Sequence, residues 1–165
     1  MSRKEETSLI RIHEIYIKAS PSAIWEAITS PEWNGRYGYK ALAEYDLQPG
    51  GTYAAKANDG MKKFGLPDII IDGKVIEVNP PHKLVQTMRW LFEDSQKQEG
   101  FSTLTYEIVD TGHGFCRLTI THDQTNQPTM AAATISKFGD GMGGGGWNWI
   151  LSDLKSLLET GNTMS

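Results

Sequence analysis

The chain has 165 residues, of which 39% are hydrophobic and 22% charged, with a formal net charge of -4. That length suits one domain, large enough to bury roughly 70% of its unfolded surface without staples. The mild acidity argues against a nonspecific nucleic-acid binder, which needs a basic footprint, and the single cysteine, Cys116, excludes an internal disulfide.

Residues 1–9 read as a flexible polar tail. They lack the apolar core of a signal peptide, and no apolar run nears the roughly 18 residues of a membrane span. With the lone cysteine this points to a cytoplasmic protein without a membrane span. The domain proper is expected over residues 10–160, with 161–165 as a second tail. The stretch LIRIHEIYIKA alternates, with Ile10, Ile12 and Tyr16 on one face and Arg11, His13, Ile15 and Ile17 on the other. It predicts a strand covered on part of both faces. Ser20-Pro21 then reads as N-cap and first helical residue, and Ser30-Pro31 repeats the signal with Glu32 in the first turn. Two short helices are therefore expected in tandem, the second stopping at Gly35.

From Tyr39 to about His122 the chain reads as strands and turns. Pro49-Gly50-Gly51 and Asn58-Asp59-Gly60 carry turn chemistry. DIIIDGKVIEV is a strand whose Gly73 predicts a bend or bulge. Asn79-Pro80-Pro81-His82 turns the chain into KLVQTMRWLF, and EDSQKQEG reads as a polar loop. Thr111-Gly112-His113-Gly114 joins the last two strands as a hairpin. In those strands Leu104, Tyr106 and Ile108 share one face, as do Leu118, Ile120 and His122, opposite faces of Thr, Ser, Glu and Arg. Such a sheet has one covered and one wet side. The covering element is the last one. Trp147, Ile150, Leu151, Leu154 and Leu158 fall at i, i+3, i+4, i+7 and i+11 of an amphipathic helix, with Gly161 as its stop.

The predicted fold is α+β: a curved antiparallel sheet of about seven strands wrapped around a long C-terminal helix, with two short helices after the first strand. A strongly twisted sheet must curl around such a helix, and the space between them is a natural ligand pocket.

Five motifs in this order carry a family resemblance: SPSAIWEAITSPEW, DLQPGGTY, GKVIEVNPPHKLV, TGHGFCRLTITH and GWNWILSDLKSLL. Together they resemble the START-like (SRPBCC, Bet v 1-like, helix-grip) superfamily, within it the group related to the C-terminal domain of the activator of Hsp90 ATPase. The resemblance covers roughly residues 10–160. It implies a cavity for a small apolar or amphipathic ligand. It also raises two alternatives: a chaperone-linked or stress-response interaction module, and, less favoured, an enzyme like the polyketide aromatases and cyclases. Two stretches depart from the family pattern. Trp33-Asn34-Gly35-Arg36-Tyr37 stands where a tryptophan pair is usual, and six glycines precede the final helix.

Those glycines, in residues 139–146, contain a literal G-x-G-x-x-G. A dinucleotide fingerprint needs a strand before it, a βαβ unit around it and an acid about 20 residues on. Here the preceding TMAAATISKF reads as helix or loop, no second parallel strand follows and the phosphate-loop lysine is absent, so nucleotide binding is not expected. Six glycines instead oppose helix by about 5–6 kcal/mol, so the regular helix is expected to start near Gly146 or Trp147, after a short separate helix around 130–138. Gly139, Gly141, Gly143, Gly144, Gly145 and Gly146 are read as a hinge or lid over the pocket mouth.

The expected cavity lining is aromatic and aliphatic: Trp33, Tyr37, Tyr53, Met88, Trp90, Leu104, Tyr106, Ile120, His122, Trp147, Ile150 and Leu151. The same aromatics also fit plain core packing, and both can hold at opposite ends of one domain. Tyr106 and His122 are the expected polar anchors. His122 reads equally as a satisfied histidine at the core edge or as a proton carrier. Trp149 lies off the apolar stripe and faces the rim or a partner. Cys116 reads as a small buried side chain without an activating neighbour. No Ser/His/Asp arrangement and no metal-ligand spacing occurs, so neither catalytic residues, metal nor cofactor are expected. The partners expected are a small ligand and, in the alternative, a chaperone or other protein. A monomer and a homodimer are both compatible.

Overall fold

The computed structural model describes residues 9–134, 137–138 and 145–164. β1 (Ile10–Ile17) leads into α1 (Pro21–Thr29) and the single-turn α2 (Pro31–Asn34). Then follow β2 (Leu42–Tyr45), β3 (Thr52–Lys56), α3 (Asp59–Lys63), β4 (Ile69–Asn79) and β5 (Lys83–Trp90). α4 (Asp94–Glu99), β6 (Ser102–Asp110), β7 (Cys116–Asp123), α5 (Pro128–Ala133) and α6 (Gly146–Thr160) complete the order. The strands form one curved antiparallel sheet in the order β1-β7-β6-β5-β4-β3-β2. β1 and β2, adjacent in sequence among the strands, thus lie at opposite edges, and α1–α2 bridges the interval between them.

Local chemistry explains most boundaries. Ser20 Oγ accepts from the Ala23 N–H at 3.1 Å, with Pro21 at the first helical position. Ser30 precedes α2 but makes no side-chain cap, so that expectation holds only for position. α6 ends at Gly161, whose φ of 81° is left-handed and whose N–H reaches the Leu157 carbonyl at 2.9 Å. The core is one layer thick. Ile17, Leu84, Leu104, Ile108, Leu118 and Ile120 from the sheet meet Ile24, Ala27 and Ile28 from α1 and Leu151, Leu154 and Leu157 from α6.

Four local expectations need correction. The Ile10/Ile12/Tyr16 face of β1 is open to solvent, with Ile12 66% exposed, because no element covers the outer side of that edge strand among the described residues. Asn58-Asp59-Gly60 is not a bare turn: Asn58 Oδ1 caps α3 by accepting from the Met61 N–H at 2.9 Å. The polar stretch 93–100 contains α4, started by Gln96 Oε1, which accepts from the Phe92 and Glu93 N–H groups. Both helices are too short to show apolar periodicity. Finally, β4 shifts register against β5 between Val75 and Glu77 and against β3 between Ile69 and Ile71, rather than at Gly73. Gly73 is required for a different reason: a Cβ there would stand 1.9 Å from the Thr87 carbonyl oxygen.

Candidate functional site

The inward face of the sheet is built by period-two alternation. β6 buries Ser102, Leu104, Tyr106 and Ile108, β7 buries Cys116, Leu118, Ile120 and His122, and β5 buries Leu84, Gln86 and Met88. α6 covers one end of this face and makes it solid core. Towards the other end the sheet and helices part around a cavity of about 470 Å³. That volume falls within the roughly 300–1,000 Å³ range of small-molecule sites.

Tyr37, Tyr53, Met88, Trp90, Leu104, Tyr106, His122, Trp147 and Ile150 line it. Trp33, Ile120 and Leu151 do not. Ile120 and Leu151 are in the close-packed core, 0% and 2% exposed, and Trp33 packs on the core edge beneath the Arg36 guanidinium, 4.6 Å from its ring centre. Alternation along a strand settles which side a residue faces, not how far along the layer the helix covers it. The structure adds lining residues that sequence reasoning missed, among them Tyr39, Lys40, Tyr45 and Ala55.

The tyrosines form a buried polar seam. Tyr37 donates to the Ala27 carbonyl at 2.9 Å, and Tyr45 donates to Gln86 Oε1 at 2.6 Å. Burial raises Tyr37, Tyr45, Tyr53 and Tyr106 above the ordinary phenol range, so all four stay neutral hydroxyls at physiological pH. Gln86 is 0% exposed, and its Nε2 has no partner among the described residues. The signal for Gln86 was present in KLVQTMRW, where it sits in phase with Leu84, Met88 and Trp90. The Trp90 indole N–H is also buried without a partner among the described residues, while its ring stacks on Phe92 at 5.1 Å.

His122 is 2% exposed and occupied at both ring nitrogens. The Trp147 indole N–H approaches Nδ1 at 3.1 Å, which makes Nδ1 the acceptor. Nε2 then carries the proton and donates to Ser102 Oγ at 2.8 Å, and Ser102 donates to the Met88 carbonyl at 3.2 Å. Burial, then the neighbouring His13, pull His122 down to about 4, so the ring is neutral. The expected polar anchor therefore has no free nitrogen for a ligand. It ties α6 to β5, β6 and β7 instead. Trp147, held by this bond and edge-on to Tyr106 at 6.1 Å, forms part of the cavity wall.

The loop between α2 and β2 forms another wall. Gly38 N–H donates to the buried Asp153 carboxylate at 2.8 Å, and Tyr39 Oη accepts from the Gly146 N–H at 3.0 Å. Both contacts fasten the loop to α6. Lys40, next in sequence, has φ +59°, left-handed and unusual for a side chain with a Cβ. Its N–H donates to the Tyr37 carbonyl and its carbonyl accepts from Asn58 Nδ2, each at 3.1 Å.

Of the predicted hinge glycines, Gly139, Gly141, Gly143 and Gly144 lie outside the described residues. Gly145 and Gly146 are closely surrounded. A Cβ would fall 2.5 Å from Trp149 Cβ at the first and 2.1 Å from the Thr134 carbonyl at the second. Trp149 packs its ring against Phe138, 4.9 Å between centroids, rather than standing free at the rim. Cys116 is buried, and burial raises its thiol. Among the described residues no cluster of three His, Cys, Asp or Glu could hold a metal ion, and no helix is long and apolar enough to cross a membrane.

A curved antiparallel sheet gripping one long C-terminal helix, with a cavity between them, defines a helix-grip protein of the START-like, Bet v 1-like superfamily. Within that class, residues 18–159 match the family described as Activator of Hsp90 ATPase homolog 1-like protein, and the chain belongs to it. An Hsp90 activator from Plasmodium falciparum has a similar structure, with TM-score 0.55 and 22% identity over 94% of this chain and 90% of that one. Protein MLL2253 from Mesorhizobium loti superposes with TM-score 0.63 at 18% identity, covering 90% of this chain and 96% of its own. CalU16 from Micromonospora echinospora, in solution, gives TM-score 0.63 at 19% identity over 94% and 68% of the two chains. The crystallised form of CalU16 is spanned over only 62% of its length. At these identities the likeness is one of fold. No curated protein matches the chain in sequence.

Proposed function

We propose that the protein binds a small apolar or amphipathic molecule in the cavity between its sheet and α6. The observation that carries this is the cavity itself, about 470 Å³ walled by aromatic and aliphatic side chains. A wall of this kind would recognise its ligand by shape and apolar burial, with few polar contacts for orientation. The unpartnered Trp90 N–H is a donor suited to that second task. Tyr106, the remaining expected anchor, lies on the same wall. Native mass spectrometry of the protein, purified without denaturant, is expected to show a bound small molecule that is lost on denaturation. If no such mass appears and a panel of aliphatic and aromatic probes gives no binding, this reading fails.

A second reading is a chaperone-linked interaction module. Family membership and the likeness to the Plasmodium activator favour it. The exposed Ile10, Ile12 and Tyr16 on β1 offer an apolar face for such a partner. A pull-down with the host's Hsp90-type chaperone that retains nothing would count against it. The geometry lends no support to an aromatase- or cyclase-like enzyme, because His122 spends both nitrogens on protein partners.

A further inference from the structure

The cavity wall is neutral except at one place. Its tyrosines are held as hydroxyls and His122 as the free base. No carboxylate lines it among the described residues, and the one charged lining side chain is Lys40. Six cations elsewhere on the molecule, Lys56, Lys62, Lys83, Arg89, Arg117 and Lys155, are each neutralised in an ion pair. Lys40 has no carboxylate within ion-pair distance among the described residues.

Its backbone is also unusual. The left-handed φ of +59° is flanked by hydrogen bonds on both sides of the residue, its N–H donating to the Tyr37 carbonyl and its carbonyl accepting from Asn58 Nδ2. The preceding residues are tied to α6 through Asp153 and Gly146. Glycine would adopt this conformation without strain, yet a lysine stands there, in a loop otherwise built to hold it still. Strain preserved by its surroundings at a pocket wall is a mark of function. The other unsatisfied polar atom on a lining residue, Trp90 Nε1, is again a donor. Gln86, Gln124 and Gln127 also have unpartnered buried atoms, but none of the three lines the cavity. A neutral apolar body fits the wall, and only a group that accepts hydrogen bonds and carries negative charge fits Lys40.

We infer that the cavity's ligand is an amphipathic anion, a carboxylate or similar acid on an apolar or aromatic body, with its charge paired to Lys40. This inference rests on the small-molecule reading above and sharpens it to a ligand class.

The test uses the full chain and matched acids and alcohols: decanoate with decanol, and 1-naphthoate with 1-naphthol. Isothermal titration calorimetry gives each affinity. The wild-type protein is expected to bind at least one acid about tenfold more tightly than its alcohol. Lys40→Arg should keep that preference. Lys40→Gly, which relieves the backbone and so preserves the fold, should bring the ratio close to one. Equal affinity for acid and alcohol in the wild type overturns the anion assignment and leaves the cavity reading standing. A preference that persists in Lys40→Gly removes Lys40 from the role. Binding of neither pair, together with no bound mass in the native spectrum, overturns both readings.

Discussion

His122 shows how a residue that looks reactive in sequence can be used up by structure. Its two nitrogens join Trp147 on α6 to Ser102 on β6, and only the neutral ring can accept at Nδ1 while donating at Nε2. Protonation would place an N–H against the Trp147 N–H. The folded value of about 4 lies below the ordinary 6.5, so the unfolded chain takes up the proton first as pH falls. The stabilisation is therefore complete above pH 6.5 and is lost as pH falls from 6.5 towards 4, amounting to about 3 kcal/mol. Urea midpoints measured at pH 7.5 and 4.5 should differ, and the difference should shrink in His122→Leu. An equal pH dependence in that variant would refute the role. Lys40 is the opposite case. Nothing in YKALAEY marks it, because its importance comes from a left-handed φ and from neighbours distant in sequence.

At the level of elements, alternation and helical spacing were legible where a segment was long enough to repeat. β7 buries every second residue over its whole length and β6 does so from Ser102 to Ile108, and α6 buries its Leu151–Leu154–Leu157 stripe. α3 and α4 were missed because five or six polar residues carry caps but no period. The start of α6 near Gly146 was readable from the energetic cost of glycine in helices. That Gly146 itself cannot be replaced was not readable. It has φ +58°, and a Cβ would meet the Thr134 carbonyl at 2.1 Å. Gly146→Ala should therefore lower stability by about 2–4 kcal/mol from strain and overpacking together. It should also disturb the Tyr39 contact at the cavity wall. A thermal midpoint unchanged from wild type would contradict this packing.

For the whole molecule, core and cavity compete for the same inward face. α6 compresses one end into core, and the loop from Gly38 to Ala41, fastened to α6 through Asp153, helps keep the other end open. Ala55, buried on β3 and lining the cavity, is the place to test that division. Ala55→Phe should fill empty space, lower decanol affinity at least tenfold and leave the thermal midpoint equal or higher. Unaltered affinity would show that ligand does not occupy this volume.

By itself the sequence determined the fold class, the strand faces and the gripping helix, because each depends on residue spacing within one segment and on local caps and turns. It also placed most of the aromatic wall on the correct side of the sheet. Only the tertiary structure decided which inward residues line space and which fill it. It also showed that His122 is a tie rather than an anchor, and that Lys40 is the one charged residue on the wall among the described residues. Those properties depend on how far α6 reaches across the sheet and on contacts between residues far apart in the chain, which no periodicity encodes.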